Sequence, residues 1–579
     1  MGLKTIYFSL LFLFFASSAF GQKPEAKFKE QQFKPEEKVF VDYNSSLVFP
    51  GEYLYYKVYV LNDKTNRLSS LSQIAYVKMV SENGETIFTH KINTASGTGN
   101  GDFFVPTNIA SGTYKLIAFT EWMYNKSDTN FFSGTVFVIN PYTTKGEKSL
   151  KRVASAQVDD INTISEKENS ATGIIKLSNK AIFNKREEVK LLLDSLKLKE
   201  GNYSLSVYKK NKLKLPDKLN ISNLQKIYTK EDNNSNSTSS QPYLPELRGD
   251  LFRGTISTTN KNLSVSNQSL AVSVPGDNFQ LKISNTNEEG VFYFNLDASQ
   301  SVDNLVVQMM GENAHDFEIE LDSLPKFNYS SLYFPPLEIS PDMESEIVKR
   351  SVFNQIENSY YSIKPDTLKT QGKKEPFFGS KNIAVYPLDD YTRFPTVKET
   401  FIEVISAAKI RENKKGESVF GVYSRNSDLE FISSALLLVD GLYIENTEAL
   451  MNYSANKIDV IKVVRNEYYY GSKIFGGIIS IETKENDFVG SYQSGSLKKF
   501  DIIPVRAAKN YYVVNYKKQE LDRIPDFRRQ LLWKPRLTNN FQNISFFTSD
   551  VEGDYIITLQ GISNDGRIIF DQICFEVVD

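Results

Sequence analysis

The chain has 579 residues, with 70 acidic and 68 basic side chains and one cysteine, Cys574. This balance excludes the strongly basic surface of a typical nucleic-acid-binding protein, and one cysteine excludes an intrachain disulfide. At about 150 residues per domain, the length predicts three to five domains. The 40 phenylalanines and 32 tyrosines favour half-buried pleated surfaces and predict a mainly β fold.

The first 21 residues have the order of features found in a secretory signal peptide. Lys4 supplies a positive charge, Ile6 to Phe15 is an apolar run, and small residues follow at Ala16 to Ala19. The alternative is a membrane anchor, but the run is shorter than the ~20 residues of a spanning helix. We therefore expect a protein of the Gram-negative periplasm that associates with a membrane only through a partner.

Short strands separated by turns fill the next part of the chain. Residues 22–38 are polar and predict a flexible leader, whereas residues 39–142 predict a β-sandwich. Asn83-Gly84 is typical of a hairpin turn. Before it, Gln73 to Val80 alternates between apolar and polar residues, as a half-buried strand does.

Two strands of this sandwich carry a family resemblance. Gly101 to Pro106, followed by Gly112 to Leu116, resembles the MG2 domain of α2-macroglobulins, which implies an Ig-like sandwich. The protease-trapping members of that family use a thioester in a Cys-Gly-Glu-Gln loop. Here the cysteine lies in Ile573-Cys574-Phe575-Glu576, so covalent capture by that chemistry is excluded.

Similar strand patterns predict further domains along the chain. The segment Gly290 to Leu296 resembles the closing strand of carboxypeptidase-regulatory-like sandwiches. We predict a signal peptide at 1–21, a leader at 22–38, an MG2-like sandwich at 39–142, a linker at 143–170, a second MG-like sandwich at 171–230, a polar linker at 231–244, a carboxypeptidase-regulatory-like sandwich at 245–325, a helical connector at 326–395, a plug-like domain at 396–486 and a C-terminal MG-like sandwich at 495–579.

The segment 396–486 has its own order of motifs. Val439-Asp440-Gly441 precedes Ile458 to Arg465, and Tyr470-Gly471 leads through Gly476-Gly477 into Ile478 to Lys484. This order is similar to the plug domain of TonB-dependent outer-membrane receptors. The resemblance implies structural or interaction roles for Asp440, Gly441, Arg465, Tyr470, Gly471, Gly476 and Gly477. The alternative is that these residues only build the core of a small α+β domain.

The predicted function follows from a plug pattern without its barrel. A receptor barrel has about 22 strands, and the residues after Lys484 are too few to form them. Our leading hypothesis is a non-enzymatic scaffold that docks this domain onto a separately encoded outer-membrane β-barrel, with the type 9 secretion translocon as a candidate host. The alternative is a non-covalent macroglobulin-like binder of proteases or surface polymers.

We predict no catalytic, cofactor-binding or metal-binding residues. The two histidines, His90 and His315, fall in different predicted domains, whereas a zinc site normally needs several His or Cys ligands. No nucleic-acid partner and no small-molecule substrate is inferred. The run Tyr468 to Tyr470 is either an exposed contact patch or part of the packing of a strand.

Overall fold

The computed structural model describes residues 37–579 except 144–149, 153–171, 179, 212–214, 217, 229–241, 370–371, 380, 382, 414–415, 426–430, 432, 519–520 and 538–543. The predicted signal peptide lies outside the described residues, as do nearly all of the predicted leader and most of the linkers 143–170 and 231–244. The fold is mainly β, as predicted.

The first sandwich is formed by the first eight strands. They are β1 (Glu37–Tyr43), β2 (Leu47–Val48), β3 (Tyr53–Asn62), β4 (Ile74–Ser81), β5 (Thr86–Asn93), β6 (Thr98–Phe104), β7 (Gly112–Phe119) and β8 (Phe132–Val138). One sheet has the order β1-β3-β6 and the other the order β2-β8-β7-β4-β5. β4 and β5 form the hairpin that Asn83-Gly84 predicts. β1 begins inside the predicted leader, because the Glu37 carboxylate is buried and accepts hydrogen bonds from Ser72.

The next segment contributes strands that form no sheet among themselves alone. It comprises β9 (Leu150–Arg152), β10 (Ile175–Leu177), β11 (Ile182–Asn184), β12 (Glu188–Leu193), β13 (Gly201–Lys209) and α1 (Leu224–Tyr228). β10 pairs with β12, but β11 and β13 find their neighbours near the C-terminus.

The third sandwich follows in the chain. Its strands are β14 (Asp250–Thr258), β15 (Ser269–Val274), β16 (Gln280–Asn285), β17 (Val291–Leu296), β18 (Asn304–Met309) and β19 (Phe317–Leu321). One sheet has the order β17-β14-β19, and the other contains β16-β15-β18. Buried Phe292, Leu305 and Val307 lie in the core between them.

A connector then leads into a small α+β domain. The connector comprises β20 (Leu337–Ile339), which pairs with β9, then α2 (Glu344–Ser359) and β21 (Thr367–Leu368). The α+β domain comprises β22 (Ile383–Pro387), α3 (Val397–Glu403), β23 (Ala408–Glu412), β24 (Ser418–Val422), β25 (Leu436–Val439), β26 (Leu442–Tyr443), α4 (Glu448–Met451), β27 (Ile458–Val464), β28 (Tyr468–Tyr470), β29 (Lys473–Phe475), β30 (Ile478–Thr483) and α5 (Phe488–Ser491).

The α+β domain is built on one five-stranded sheet of order β22-β27-β30-β25-β26. Two hairpins, β23-β24 and β28-β29, flank the sheet. Thr396 is the N-cap of α3, and its side chain accepts a hydrogen bond from the Glu399 amide. The sheet begins earlier than the predicted boundary of 396, because β22 is its edge strand.

The C-terminal strands pair with strands from much earlier in the sequence. They are β31 (Leu497–Asp501), β32 (Lys509–Asn510), β33 (Gln530–Leu537), β34 (Ile544–Phe547), β35 (Gly553–Ser563) and β36 (Ile568–Val578). β31 extends the third sandwich beside β18, and β32 pairs with β21.

The four last strands do not form the separate C-terminal sandwich predicted for 495–579. They complete a second sandwich with β10–β13, in sheets of order β10-β12-β34 and β11-β36-β35-β13-β33. Tyr203 and Leu205 share one buried core with Tyr555 and Leu559. The predicted domains 171–230 and 495–579 are therefore two halves of one domain. A strand pattern signals a buried face and does not identify the strand that covers it.

The domains are consequently nested. The third sandwich and the α+β domain lie within the second sandwich in sequence, and the α+β domain lies between β19 and β31 of the third sandwich. Buried polar contacts join the first and second sandwiches. Ser204 donates to the Asp42 carboxylate over 2.5 Å, and the Tyr59 hydroxyl donates to the Gln560 carbonyl over 3.2 Å.

Candidate functional site

The Asp440-Gly441 turn of the plug-like motif is buried. The Asp440 carboxylate accepts hydrogen bonds of 2.7 Å from both the amide and the hydroxyl of Thr483. Both turn residues have a positive φ, 50° at Asp440 and 81° at Gly441. The carboxylate therefore closes the loop between β25 and β26 onto the end of β30, which is a structural role.

The same turn packs against the third sandwich. A Cβ added to Gly441 would lie 2.2 Å from the Cβ of Phe279. The Gly276 amide donates to the Asp440 carbonyl over 3.0 Å, and the Tyr443 amide donates to the Ser273 hydroxyl over 3.1 Å. This end of the α+β domain is consequently covered by the protein's own third sandwich.

The other motif residues also make internal contacts. The Arg465 guanidinium donates to the carbonyls of Tyr423 and Ser424, each over 3.0 Å. The backbone at Gly476 and Gly477 passes close to the Ser433 carbonyl and to Val422 respectively. Arg465 thus ties Tyr423 and Ser424 to the end of β27, and the two glycines allow the close approach of Val422 and Ser433.

The tyrosine hairpin β28-β29 has one buried side and one exposed side. The Tyr470 hydroxyl donates to the Leu281 carbonyl, and burial raises the pKa of Tyr470 to about 12. Gly471 forms the turn beside Ile283. Tyr469, in contrast, is 71% exposed, and its cross-strand partner Ile474 is 53% exposed. Packing of the strand is therefore confirmed for Tyr470, whereas Tyr469 is exposed and a contact patch at that ring stays a prediction.

An open cavity lies elsewhere, between the first and third sandwiches. It is a cleft of about 1000 Å³. Tyr76, Lys78, Thr89 and Lys91 of the β4-β5 hairpin form one wall. The other walls come from β14, from residues 321–329 and from residues 500–503 after β31. A cleft between two rigid domains is a common place for a binding site.

Some of the basic side chains in this cleft form ion pairs with described residues, and others do not. The buried Lys91 ammonium lies 2.7 Å from the Asp250 carboxylate, and Arg253 is paired with Asp322. Lys78 and Lys326 form no ion pair with any described residue. Burial lowers the pKa of Lys78. The cleft therefore offers two cationic groups to a ligand beside the rings of Tyr76, Phe252, Tyr293 and Tyr329.

A carboxyl cluster sits at the base of the cleft. The Tyr76 hydroxyl lies 3.0 Å from Oε1 of Glu121 and 3.2 Å from Oε1 of Glu246. A hydroxyl has one proton, so one of these contacts requires a protonated carboxyl. Burial raises the pKa of Glu121 to about 7 and raises the pKa of Glu246 well above its usual value.

The raised pKa of Glu121 predicts a pH-dependent stability. A carboxyl with a raised folded-state pKa binds more protons when folded, so the free energy of unfolding falls as the pH rises from about 4.5 to about 7. We expect Glu121→Gln to be more stable than the parent by about 1–3 kcal/mol at pH 8 and nearly equal to it at pH 5. Urea denaturation at both pH values measures this difference. The exposed Glu82→Gln is the control, and an equal gain at both pH values would contradict the prediction.

The cleft residues were not singled out by the sequence. The alternating pattern of Gln73 to Val80 placed Ala75, Val77 and Met79 in the core, where all three are buried. The opposite face of the strand was expected to be polar and exposed. Tyr76 on that face is nevertheless buried, at 1% exposure. Tyr76 is covered because Glu246 and Asp250 of the next domain approach it.

Neither histidine belongs to a metal site in the described structure. The Tyr56 hydroxyl lies 2.7 Å from Nδ1 of His90, and burial lowers the pKa of that imidazole to about 3. Among the residues described, no group of three or more His, Cys, Asp or Glu side chains is arranged to hold a metal ion. No helix in the described part of the chain is long and apolar enough to cross a membrane.

Comparisons with known proteins give only distant structural neighbours. No family model matches the chain, and no curated protein matches it in sequence. Trypsin-activated alpha-2-macroglobulin from Escherichia coli is 9% identical, with a TM-score of 0.16 over 94% of this chain and 24% of that one. A mutant of Salmonella alpha-2-macroglobulin is 9% identical, with a TM-score of 0.23 over 94% of this chain and 40% of that one.

Both of these bacterial alpha-2-macroglobulins are longer than this chain. The chain spans between 24% and 40% of their length.

Proposed function

We propose that the chain is a non-covalent binding protein that holds part of a partner protein in the cleft between its first and third sandwiches. The observation that carries this proposal is the cleft itself, with its exposed Tyr293 ring and two lysines that lack an ion-pair partner among the described residues. The proposal includes the sequence-based expectations that the chain acts in the periplasm and is not an enzyme.

The composition of the cleft suits a protein ligand. Rings and apolar side chains supply contact area at low entropic cost, and a few charged groups fix orientation. The two walls belong to sandwiches joined by the buried Lys91–Asp250 ion pair and by the Gln73 amide, which donates to the Glu246 carbonyl over 2.9 Å. A cleft held by such contacts is preorganised, so little binding energy is lost in ordering it.

The test is site-specific photo-cross-linking in the native cells. A photoreactive amino acid at Tyr293 should yield one discrete cross-linked protein, whereas the same group at Tyr333, which is exposed outside the cleft, should not. The charge reversal Lys78→Glu with Lys326→Glu should abolish that product. Reversal of the exposed Lys261 and Lys349 is the matched control. If position 293 forms no cross-link, the proposed function fails.

A second candidate function is the docking of the α+β domain onto a separate outer-membrane β-barrel. The exposed pair Tyr469 and Ile474 favours it, because two apolar side chains stand together on a hairpin whose other residues are fixed. The motif residues at Asp440-Gly441 take no part, since the third sandwich covers them. The type 9 secretion translocon remains the candidate host predicted from the sequence.

We expect Tyr469→Ser with Ile474→Ser to leave the urea midpoint unchanged and to reduce recovery of the protein with outer membranes at least about tenfold. Sedimentation of membranes followed by immunoblotting measures this. Tyr333→Ser, at another exposed ring, is the control. Full retention on the membranes would rule out this hairpin as the docking surface. Deleting 396–486 is a poorer test, because it leaves β22 without its sheet and uncovers Phe279.

A further inference from the structure

The outer edge of β5 borders the cleft and is only partly covered. β5 ends the five-stranded sheet of the first sandwich, so one side of its backbone has no neighbouring strand in that sheet. At Lys91 this side is taken by the chain itself: Val505 pairs with Lys91 in parallel, and the Arg506 amide donates to the Lys91 carbonyl over 2.8 Å. The edge is thus able to accept a strand.

The uncovered part of the edge begins two residues before Lys91. Alternate residues of a strand direct their backbone groups to the same side, so the N–H and C=O of Thr89 point as those of Lys91 do. No described residue outside the β4-β5 pair forms a backbone hydrogen bond with Thr89. Thr86 and Thr89 both line the cleft, and residues 500–503 line it as well.

We propose that the cleft binds an extended acidic peptide segment of another protein, which adds as a strand to the free edge of β5 at Thr89. This inference rests on the proposed function and names its ligand. Main-chain hydrogen bonds to an exposed edge give affinity, and pockets for alternate side chains give specificity. The chain's own residues 505–506 already pair with this edge at Lys91, which supports an extended peptide as the occupant.

The charge of the cleft selects the side chains of that peptide. Lys91 and Arg253 are neutralised by Asp250 and Asp322, which leaves the charges of Lys78 and Lys326 without an ion-pair partner among the described residues. Lys78 lies opposite Thr89 in the β4-β5 register, one strand inward from the free edge. An added strand would direct every second side chain into the cleft, and carboxylates at those positions would therefore meet a cation.

The test is fluorescence anisotropy on the full chain with a short fluorescein-labelled peptide of alternating glutamate and valine. Thr89→Pro removes the donor at the edge and should weaken binding at least about tenfold, whereas Thr89→Val keeps the backbone and should change it less than about twofold. Lysine in place of glutamate in the peptide should abolish binding. Lys78→Glu with Lys326→Glu should weaken binding of the glutamate peptide at least about tenfold.

A second measurement does not depend on whether Thr89→Pro folds. It is the rate of amide hydrogen exchange in residues 86–93 of the unchanged protein, with and without the peptide. The glutamate peptide should slow exchange in this strand. Equal binding by Thr89→Pro and Thr89→Val, or equal binding of both peptides, would overturn the inference, as would saturable binding of polygalacturonate in place of the peptide. A cross-link at Tyr293 that persists in Thr89→Pro leaves the proposed function standing without strand addition.

Discussion

A chain that ends at Val551 should lose the whole second sandwich. Truncation there removes β35 and β36, which lie side by side in the five-stranded sheet of that domain. β13 pairs with β35 along its entire length, from Gly201 to Lys209. We expect amide exchange in β13 to become at least about a hundredfold faster, because the strand beside its whole length and the covering Tyr555 and Leu559 are absent, which leaves only β33 beside it.

Hydrogen exchange followed by mass spectrometry makes this measurement domain by domain. β7 of the first sandwich is the internal control, since its neighbours β4 and β8 precede the truncation. It should keep its protection in the shortened chain. Protection of β13 without the last 28 residues would contradict the prediction, because it would mean that β35 and β36 are not required to order this domain.

Gly441→Ala should destabilise the α+β domain by about 2–5 kcal/mol. Part of this loss, about 1–2 kcal/mol, is the cost of a side chain at a positive φ. The remainder, about 1–3 kcal/mol, arises because the new Cβ would overlap the Cβ of Phe279 in the third sandwich, only 2.2 Å away. Backbone on one side of the contact must move, so the interface between the two domains should loosen as well.

Gly416 is the matched control for this substitution. Its φ is also 81°, and a Cβ there would meet nothing within 4 Å. Gly416→Ala should therefore show the backbone cost alone. Urea denaturation of both variants gives the difference directly. Equal losses would show that the Asp440-Gly441 turn is not pressed against the third sandwich.

Local features of the fold could be predicted from the sequence. The Asn83-Gly84 turn lies in the β4-β5 hairpin, and Thr396 caps α3. Such features depend on neighbours in the chain, where turn and cap chemistry act over a few residues. The motif of residues 436–483 likewise gave the buried strands β25, β27 and β30, since each is a nearly continuous apolar run.

Features that join distant segments could not be predicted. The cleft exists because Lys91 meets Asp250, 159 positions further along the chain. Nothing in the pattern around either residue identifies the other. The motif residues posed a related problem: Gly441 was recognised as a turn residue, but its contact with Phe279 depends on how two domains meet. The sequence therefore left a structural and an interaction role open for the turn, whereas in the structure the third sandwich covers its surface.

The nested order of the domains also determines the order in which they can fold during synthesis. Both strands that flank β13 belong to the last part to be synthesised, and Val207 lies 323 positions before Gln530, its contact on β33. Until then β13 has two open edges, which are templates for wrong pairing. The third sandwich and the α+β domain have time to form first. The second sandwich is thus the last domain to fold. A pause or premature stop near the C-terminus would leave the strand edges of its first half unpaired and prone to aggregation.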